Sequence, residues 1–241
     1  MILADPAAVA AAVADRVVAA AQNAIRRRGV FRLALSGGTT PLLVYPLLLA
    51  TPRVDAVDWS LVEFFWADER AVAPTDHDSN YNAALGLFLS DLPGARLTAV
   101  HRMQADRPDL DAAARDYQEE MTGAFGVPAD GTAIPAFDLV WLGMGRDGHT
   151  ASLFPGSTAL VERSRWVTGT WAPGPGSWRM TLTYPVLNAA RLALFQVCGP
   201  DKAAAFGSVR AGSGDTPAAA VRARQTLWIV DRAAAGGGSS T

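Results

Sequence analysis

The chain is poor in the residues that support several common chemistries. Cysteine occurs once, at Cys198, which excludes an internal disulfide framework and a multi-cysteine metal site. Lysine also occurs once, at Lys202, among 21 basic residues. Neither sign of charge is in excess: the formal net charge is −2, so no broad cationic field exists for general nucleic-acid binding. A few local cations still suffice for a phosphorylated small molecule. No uninterrupted apolar stretch reaches the roughly 18 residues of a membrane span. The apolar N-terminus lacks a basic leader, and Asp5 and Asp15 bracket its alanine run, so it does not read as a secretion signal. These absences predict a soluble, cytoplasmic protein.

What is present is globular. Of 241 residues, 50% are hydrophobic and 18% charged. A chain of this length buries roughly 70–75% of its unfolded surface without staples. One domain is expected over 1–235, followed by a small, polar, disordered tail at 236–241. Cys198 closes the apolar run 192–198 and is expected as a buried core thiol.

Short apolar segments alternate with helical ones. Buried strands are predicted at 30–35, 61–66, 137–142, 192–198 and 227–231, with a shorter strand at 97–101. A strand pair is predicted at 165–171 and 178–183 around the turn 173–176. Asp5-Pro6 starts a helix that Gly29 stops. Further helices are predicted from Pro41, over 80–89 behind a Ser79 cap, from Pro108 to about 121, and from Pro200-Asp201. A surface loop is expected over 123–135. The fold class is α/β: a mainly parallel sheet flanked by helices on both faces. In such sheets ligands sit beyond the carboxyl ends of the strands. Three strand ends, at 36–40, 67–70 and 143–150, carry unusual sequence, and the helix start at 200–202 is a fourth candidate.

Ser36-Gly37-Gly38-Thr39-Thr40 suits an anion, because glycines allow close backbone approach and the next helix offers free N–H groups. It is neither a P-loop nor a dinucleotide fingerprint. In Asp68-Glu69-Arg70, charges follow an apolar strand and must face a polar cavity or solvent. There Arg70 suits a phosphate, and Asp68 suits a substrate hydroxyl or a proton carrier. Between 143 and 150, Gly143, Gly145 and Gly148 imply a sharply turning backbone, with Asp147 and His149 beside them. Histidine is the side chain best placed to move protons near neutral pH. His77 and His101 lack such surroundings and are read as structural. Lys202 stands where it can reach an anion held by backbone N–H groups. Arg179 alternates with apolar residues on its strand, so it faces either the site or solvent.

Together these segments resemble the 6-phosphogluconolactonase family. The matching runs are Leu35-Ser36-Gly37-Gly38-Thr39-Thr40-Pro41; Trp66-Ala67-Asp68-Glu69-Arg70 with Asp78-Ser79-Asn80-Tyr81-Asn82; Gly143-Met144-Gly145-Arg146-Asp147-Gly148-His149-Thr150-Ala151-Ser152-Leu153-Phe154-Pro155; residues 179–188; and Gly199-Pro200-Asp201-Lys202. The resemblance implies a fold related to glucosamine-6-phosphate deaminase and ribose-5-phosphate isomerase, with a small additional lobe. It implies hydrolysis of 6-phospho-D-glucono-1,5-lactone, in the pentose phosphate pathway, with no cofactor and no metal. The expected partner is the sugar-phosphate lactone, with no nucleic acid or membrane, in a monomer or small homo-oligomer.

On that reading His149 is the general base, with Asp147 or Asp68 to orient it. The phosphate lies on Ser36, Gly37, Gly38, Thr39, Arg70 and Lys202. Backbone N–H groups of the glycine loop, or an arginine, steady the oxyanion, and Gly145 and Arg179 are further candidates for substrate binding. Two alternatives stand beside it. One is an amino-sugar-phosphate deaminase/isomerase, whose loop carries a glutamate where this chain has Phe154. The other is a non-catalytic sugar-phosphate binder, which has no need of Asp147 and His149.

Overall fold

A computed structural model describes residues 1–128, 132–213 and 215–237. In chain order the strands and α-helices are β1 (Ile2–Leu3), α1 (Pro6–Arg28), β2 (Phe31–Leu35), α2 (Thr39–Leu42), α3 (Tyr45–Leu49), β3 (Val62–Trp66), β4 (Asp68–Arg70), α4 (Asn80–Leu87), α5 (Leu110–Phe125), β5 (Leu139–Leu142), β6 (Val167–Ala172), β7 (Ser177–Leu182), α6 (Tyr184–Ala189), β8 (Ala193–Val197), α7 (Ala203–Ala211) and β9 (Thr226–Asp231). Six strands form an all-parallel sheet in the order β1-β9-β8-β5-β2-β3. The small lobe is an antiparallel sheet, β4-β7-β6.

Every residue of β5 and β8 is buried, so both faces of the sheet centre are covered. Helix α1 supplies part of the cover, packing on β2, β8 and β9. Its start is set by Asp5, whose Oδ1 accepts the Ala8 N–H at 2.8 Å, and its end by Gly29 at φ +74°. With 23 residues and a mean hydropathy of 1.2, α1 is long and apolar enough to cross a membrane by length and composition. Here its stripe of Val9, Val13, Val17, Ala21 and Ala24 is buried against the sheet. Helix α5 packs on β6, and its Tyr117 hydroxyl accepts the Trp66 N–H at 3.3 Å, tying the lobe's support to the main sheet.

The chain changes sheets at Ala67. Its N–H donates to Leu35 O at 2.8 Å, and its carbonyl accepts from Leu182 N at 2.8 Å. Asp68-Glu69-Arg70 is therefore not a frayed strand end but a separate short strand in the lobe. Other expectations shift as well. The strand expected at 97–101 is a 3-10 turn, Leu97–Ala99, with a single bridge from Val100 to Phe64. Helix α5 starts at Leu110, because Asp109 caps it by accepting the Ala112 N–H at 2.9 Å, and it runs to Phe125, shortening the expected loop. The two-residue β1 carried too little pattern to be read. Of the expected disordered tail, Gly236 and Gly237 donate to Ala233 O and Arg232 O at 3.2 and 2.9 Å, closing a turn, and 238–241 lie outside the described residues.

Candidate active site

The carboxyl ends of β2, β5 and β8, together with β4, enclose a cleft of about 240 Å³. Its wall includes Ser36, Gly37, Gly38, Thr39, Asp68, Arg70, Gly145, His149 and Lys202. Of the residues proposed from the sequence as catalytic or substrate-binding, Asp147 and Arg179 are outside that wall.

The glycine turn is shaped from outside. A Cβ on Gly37 would fall 1.9 Å from Asn80 Oδ1, so only glycine fits beside that buried amide. Gly38, at φ +91°, precedes α2 in a conformation that favours glycine. Beneath the turn, Gln196 accepts from the Trp141 indole at 3.0 Å and donates to Thr40 O at 3.2 Å.

Alternation along β4 sends Asp68 and Arg70 to the cleft side and Glu69 inward. Glu69 is 4% exposed, and its two oxygens accept from Arg70 N, Asn80 N, Tyr81 N and Ser79 Oγ at 2.7–3.1 Å. Burial pushes its carboxyl up, against the pull of the three backbone N–H groups. That network fastens β4 to the start of α4. Arg70 is held from outside, its Nη1 donating to Asp78 O at 2.8 Å. Arg179 pairs with Arg70 in register and donates to Ser177 Oγ at 2.6 Å. Burial and then the Arg70 charge hold the Arg179 guanidinium below its usual range, with Asp68 opposing. Of the two orientations open to it, Arg179 thus lies beside the cleft, next to Arg70.

The loop after β5 carries the acid–base pair. His149 Nδ1 lies 2.5 Å from Asp147 Oδ1, which also accepts the His149 N–H at 3.2 Å. Burial works to raise the Asp147 carboxyl, but the charge and hydrogen bonds of His149 prevail and hold it below the usual carboxylate range. An ionised Asp147 accepts from Nδ1, which leaves Nε2 as the proton acceptor. A Cβ on Gly145 would fall 2.1 Å from His149 Nδ1, so the imidazole rests on that glycine. Phe154 covers the other side, ring centroids 4.6 Å apart. Gly145 N–H donates to His149 O and Gly148 N–H to Gly145 O, so neither of these two N–H groups is open to a substrate. Asp68 makes no hydrogen bond to His149; its Oδ2 accepts from Ser152 Oγ at 2.6 Å.

Lys202 reaches the cleft with its Nζ 3.0 Å from Asp201 Oδ2. Cys198, expected in the core, is half-buried and lines the cleft, because β8 ends one residue earlier; burial pushes its thiol up to about 12. His101 is structural as expected, stacked on Phe65 with Nδ1 2.7 Å from Glu120. His77 instead is 90% exposed, and with Asp76 and Asp78 it groups three possible metal-ligand atoms within 4.8 Å, outside the cleft wall. Asn80, Gln196 and Ser152 were missed as site residues. For Gln196 the signal was a lone amide in an otherwise apolar strand; Asn80 and Ser152 lay inside the matching runs without an assigned role.

Fold and cleft together define an α/β protein with a glycine turn, a lysine and a histidine–aspartate pair at the carboxyl ends of its parallel strands, faced by an arginine from the antiparallel lobe. Residues 4–228 match the family described as glucosamine-6-phosphate isomerases/6-phosphogluconolactonase, and the chain belongs to that family. It is 37% identical over 239 residues to the 6-phosphogluconolactonase of Streptomyces coelicolor, covering 96% of this chain and 91% of that protein. It is likewise 37% identical over 240 residues to the 6-phosphogluconolactonase of Nostoc sp., covering 97% and 95%. Among solved structures it is similar to the devB protein, with a TM-score of 0.86, 32% identity and coverage of 98% and 97%. It also resembles 6-phosphogluconolactonase from Trypanosoma cruzi, with a TM-score of 0.83, 28% identity and coverage of 99% and 96%. A likeness to a monomeric glucosamine-6-phosphate deaminase, 19% identical with a TM-score of 0.79, concerns the fold alone.

Proposed function

We propose that this chain hydrolyses 6-phospho-D-glucono-1,5-lactone to 6-phospho-D-gluconate. The observation that carries this is one cleft holding both an acid–base pair, Asp147–His149, and an anion site built from the turn at 36–39, Arg70 and Lys202. The 6-phosphate docks on the turn and the two cations. Water attacks the lactone carbonyl while His149 Nε2 takes its proton, and Asp147 steadies the resulting imidazolium. The carbonyl oxygen becomes an oxyanion, the ring C–O bond breaks as the intermediate collapses, and the proton passes from His149 to the departing ring oxygen. Because Gly145 and Gly148 N–H are engaged within the loop, an arginine is the better oxyanion stabiliser. Asp68 meets the substrate from β4, as acceptor for a hydroxyl or for the attacking water. No step calls for a metal or an organic cofactor.

The family and the relatives' names support this reading, as does Phe154, which puts a ring against His149 rather than a further proton carrier. The packing of α1 on the sheet supports its being a core helix rather than a membrane span, and the balanced charge supports a small-molecule partner rather than nucleic acid. The test is proton release from freshly generated lactone, corrected for spontaneous hydrolysis. Turnover at the uncatalysed rate would overturn this reading and leave the amino-sugar-phosphate deaminase/isomerase and the non-catalytic binder.

A further inference from the structure

Asp68 enters the cleft from a strand of three residues, and backbone pairing fixes its Cα but not its carboxylate. Ser152 does that. It is 1% exposed, its Oγ lies 2.6 Å from Asp68 Oδ2, and its N–H donates to Thr181 Oγ1 at 3.2 Å. Thr181 Oγ1 in turn donates to Leu182 O at 3.0 Å. Thr181 is also the residue paired with Asp68 across β4 and β7, so Ser152 is held by the partner of the residue it holds. The preceding residue, Ala151, has φ +46°, the one described non-glycine residue with positive φ. A left-handed alanine is unfavourable and persists only where its surroundings demand it. At this place the bend turns the chain from His149 and Thr150, which face the cleft, to a serine buried under Asp68.

We infer that Ser152 is a positioning residue for catalysis: it clamps one oxygen of Asp68, couples the histidine loop to the lobe, and leaves Asp68 Oδ1 for substrate or water. The inference rests on the lactonase reading above, in which Asp68 meets the reacting groups. A hydroxyl donor to a carboxylate is a charge-assisted bond, and losing it at 2.6 Å frees the carboxylate to turn.

A double-mutant cycle on lactone hydrolysis tests it. Ser152→Ala should lower kcat roughly ten- to a hundredfold with KM changed less than threefold. In an Asp68→Asn background the same change should cost less than twofold, because its route of action is gone. Ser152→Cys, of similar size but a weaker donor, should fall between, and it keeps the test open should the alanine variant not fold. Wild-type kcat in a folded Ser152→Ala protein overturns the inference, as does an equal loss in both backgrounds, which marks a merely structural role. Should Asp68→Asn itself keep wild-type turnover, the use of Asp68 in the proposed reaction fails, an outcome distinct from failure of the clamp.

Discussion

The two sheets contribute to the cleft in opposite ways. The six-stranded parallel sheet is buried on both faces at its centre and supplies its ends: the glycine turn after β2, the histidine loop after β5 and the Lys202 turn after β8. Those ends carry His149 and Lys202, presented on backbone turns set by Gly38 at φ +91°, Gly148 at +79° and Gly199 at +102°. The antiparallel lobe has an exposed hairpin, with Trp171 and Trp178 edge to face at 5.5 Å in solvent. It contributes side chains, with Asp68 and Arg70 in the wall and Arg179 behind. The large sheet makes a place for an anion and a base, and the lobe brings the charges that face them. Damage to the first should therefore cost proton transfer or phosphate affinity, according to the end it strikes, and damage to the second should misplace the charges that face the substrate.

The largest expected effect is on the first side. His149→Ala should lower kcat by about 10²–10⁴, the usual range for a positioned proton acceptor. Folding should change little, since the ring leans on Gly145 and Phe154 at the cleft edge. The wild-type pH profile sharpens the point. Asp147 is held below the usual carboxylate range, so it stays ionised further into acid than a free aspartate does. Protonation of Asp147 should accordingly add no second step to the acid limb of the profile within the usual carboxylate range. A folded His149→Ala enzyme with wild-type turnover, or an acid limb of two protons, breaks the assignment.

Next comes the anion site. Lys202→Ala should raise KM about tenfold or more, if a charge-assisted contact of about 1.5–3 kcal/mol is lost. The same variant should show no such change with δ-gluconolactone, which lacks the phosphate and should be a much poorer substrate for both proteins. Equal kcat/KM for the two lactones sinks the phosphate assignment.

The lobe's attachment predicts a mixed effect. Gln in place of Glu69 turns one oxygen into an amide nitrogen facing two former donors. At least one buried N–H then loses its acceptor, at about 1–3 kcal/mol. Glu69→Gln should lower Tm by roughly 3–10 °C. It should also raise KM, because Arg70 shifts with β4. A fall in Tm with unchanged KM would confine Glu69 to stability alone.

The contrast between the sheets also explains what the sequence made readable. Strands buried on both faces appear as apolar runs, so β2, β3, β5 and β8 were located to within two residues. Glycine turns at their ends stood out for the same reason. β4 did not, because three charged residues carry no apolar period and their strand character comes only from pairing with β7. The site residues on strand ends were therefore legible as types in place. Their linkages were not: that Asp147 rather than Asp68 meets His149, and that Asp68 meets Ser152, follows from a loop bend that no local pattern announces. Cys198 misled because an apolar run does not show where its strand ends.

The smallest expected effect tests that bend. Ala151 occupies φ +46°, where an L-residue with a Cβ is disfavoured by roughly 1–2 kcal/mol. Glycine removes that penalty but gives the unfolded chain more freedom, worth about 0.5–1 kcal/mol in the other direction. Ala151→Gly should then be stabilising by about 0.5–1 kcal/mol, a rise in Tm of roughly 1–4 °C, where most substitutions in a buried loop destabilise. The counter-case is Gly148→Ala, where φ is +79° and the added Cβ would lie 2.5 Å from Thr216 Cβ, so Tm should fall. Thermal unfolding of both variants checks the pair. A lower Tm for Ala151→Gly means that the alanine methyl has favourable contacts that outweigh the backbone cost, and the bend is then maintained by packing rather than against strain.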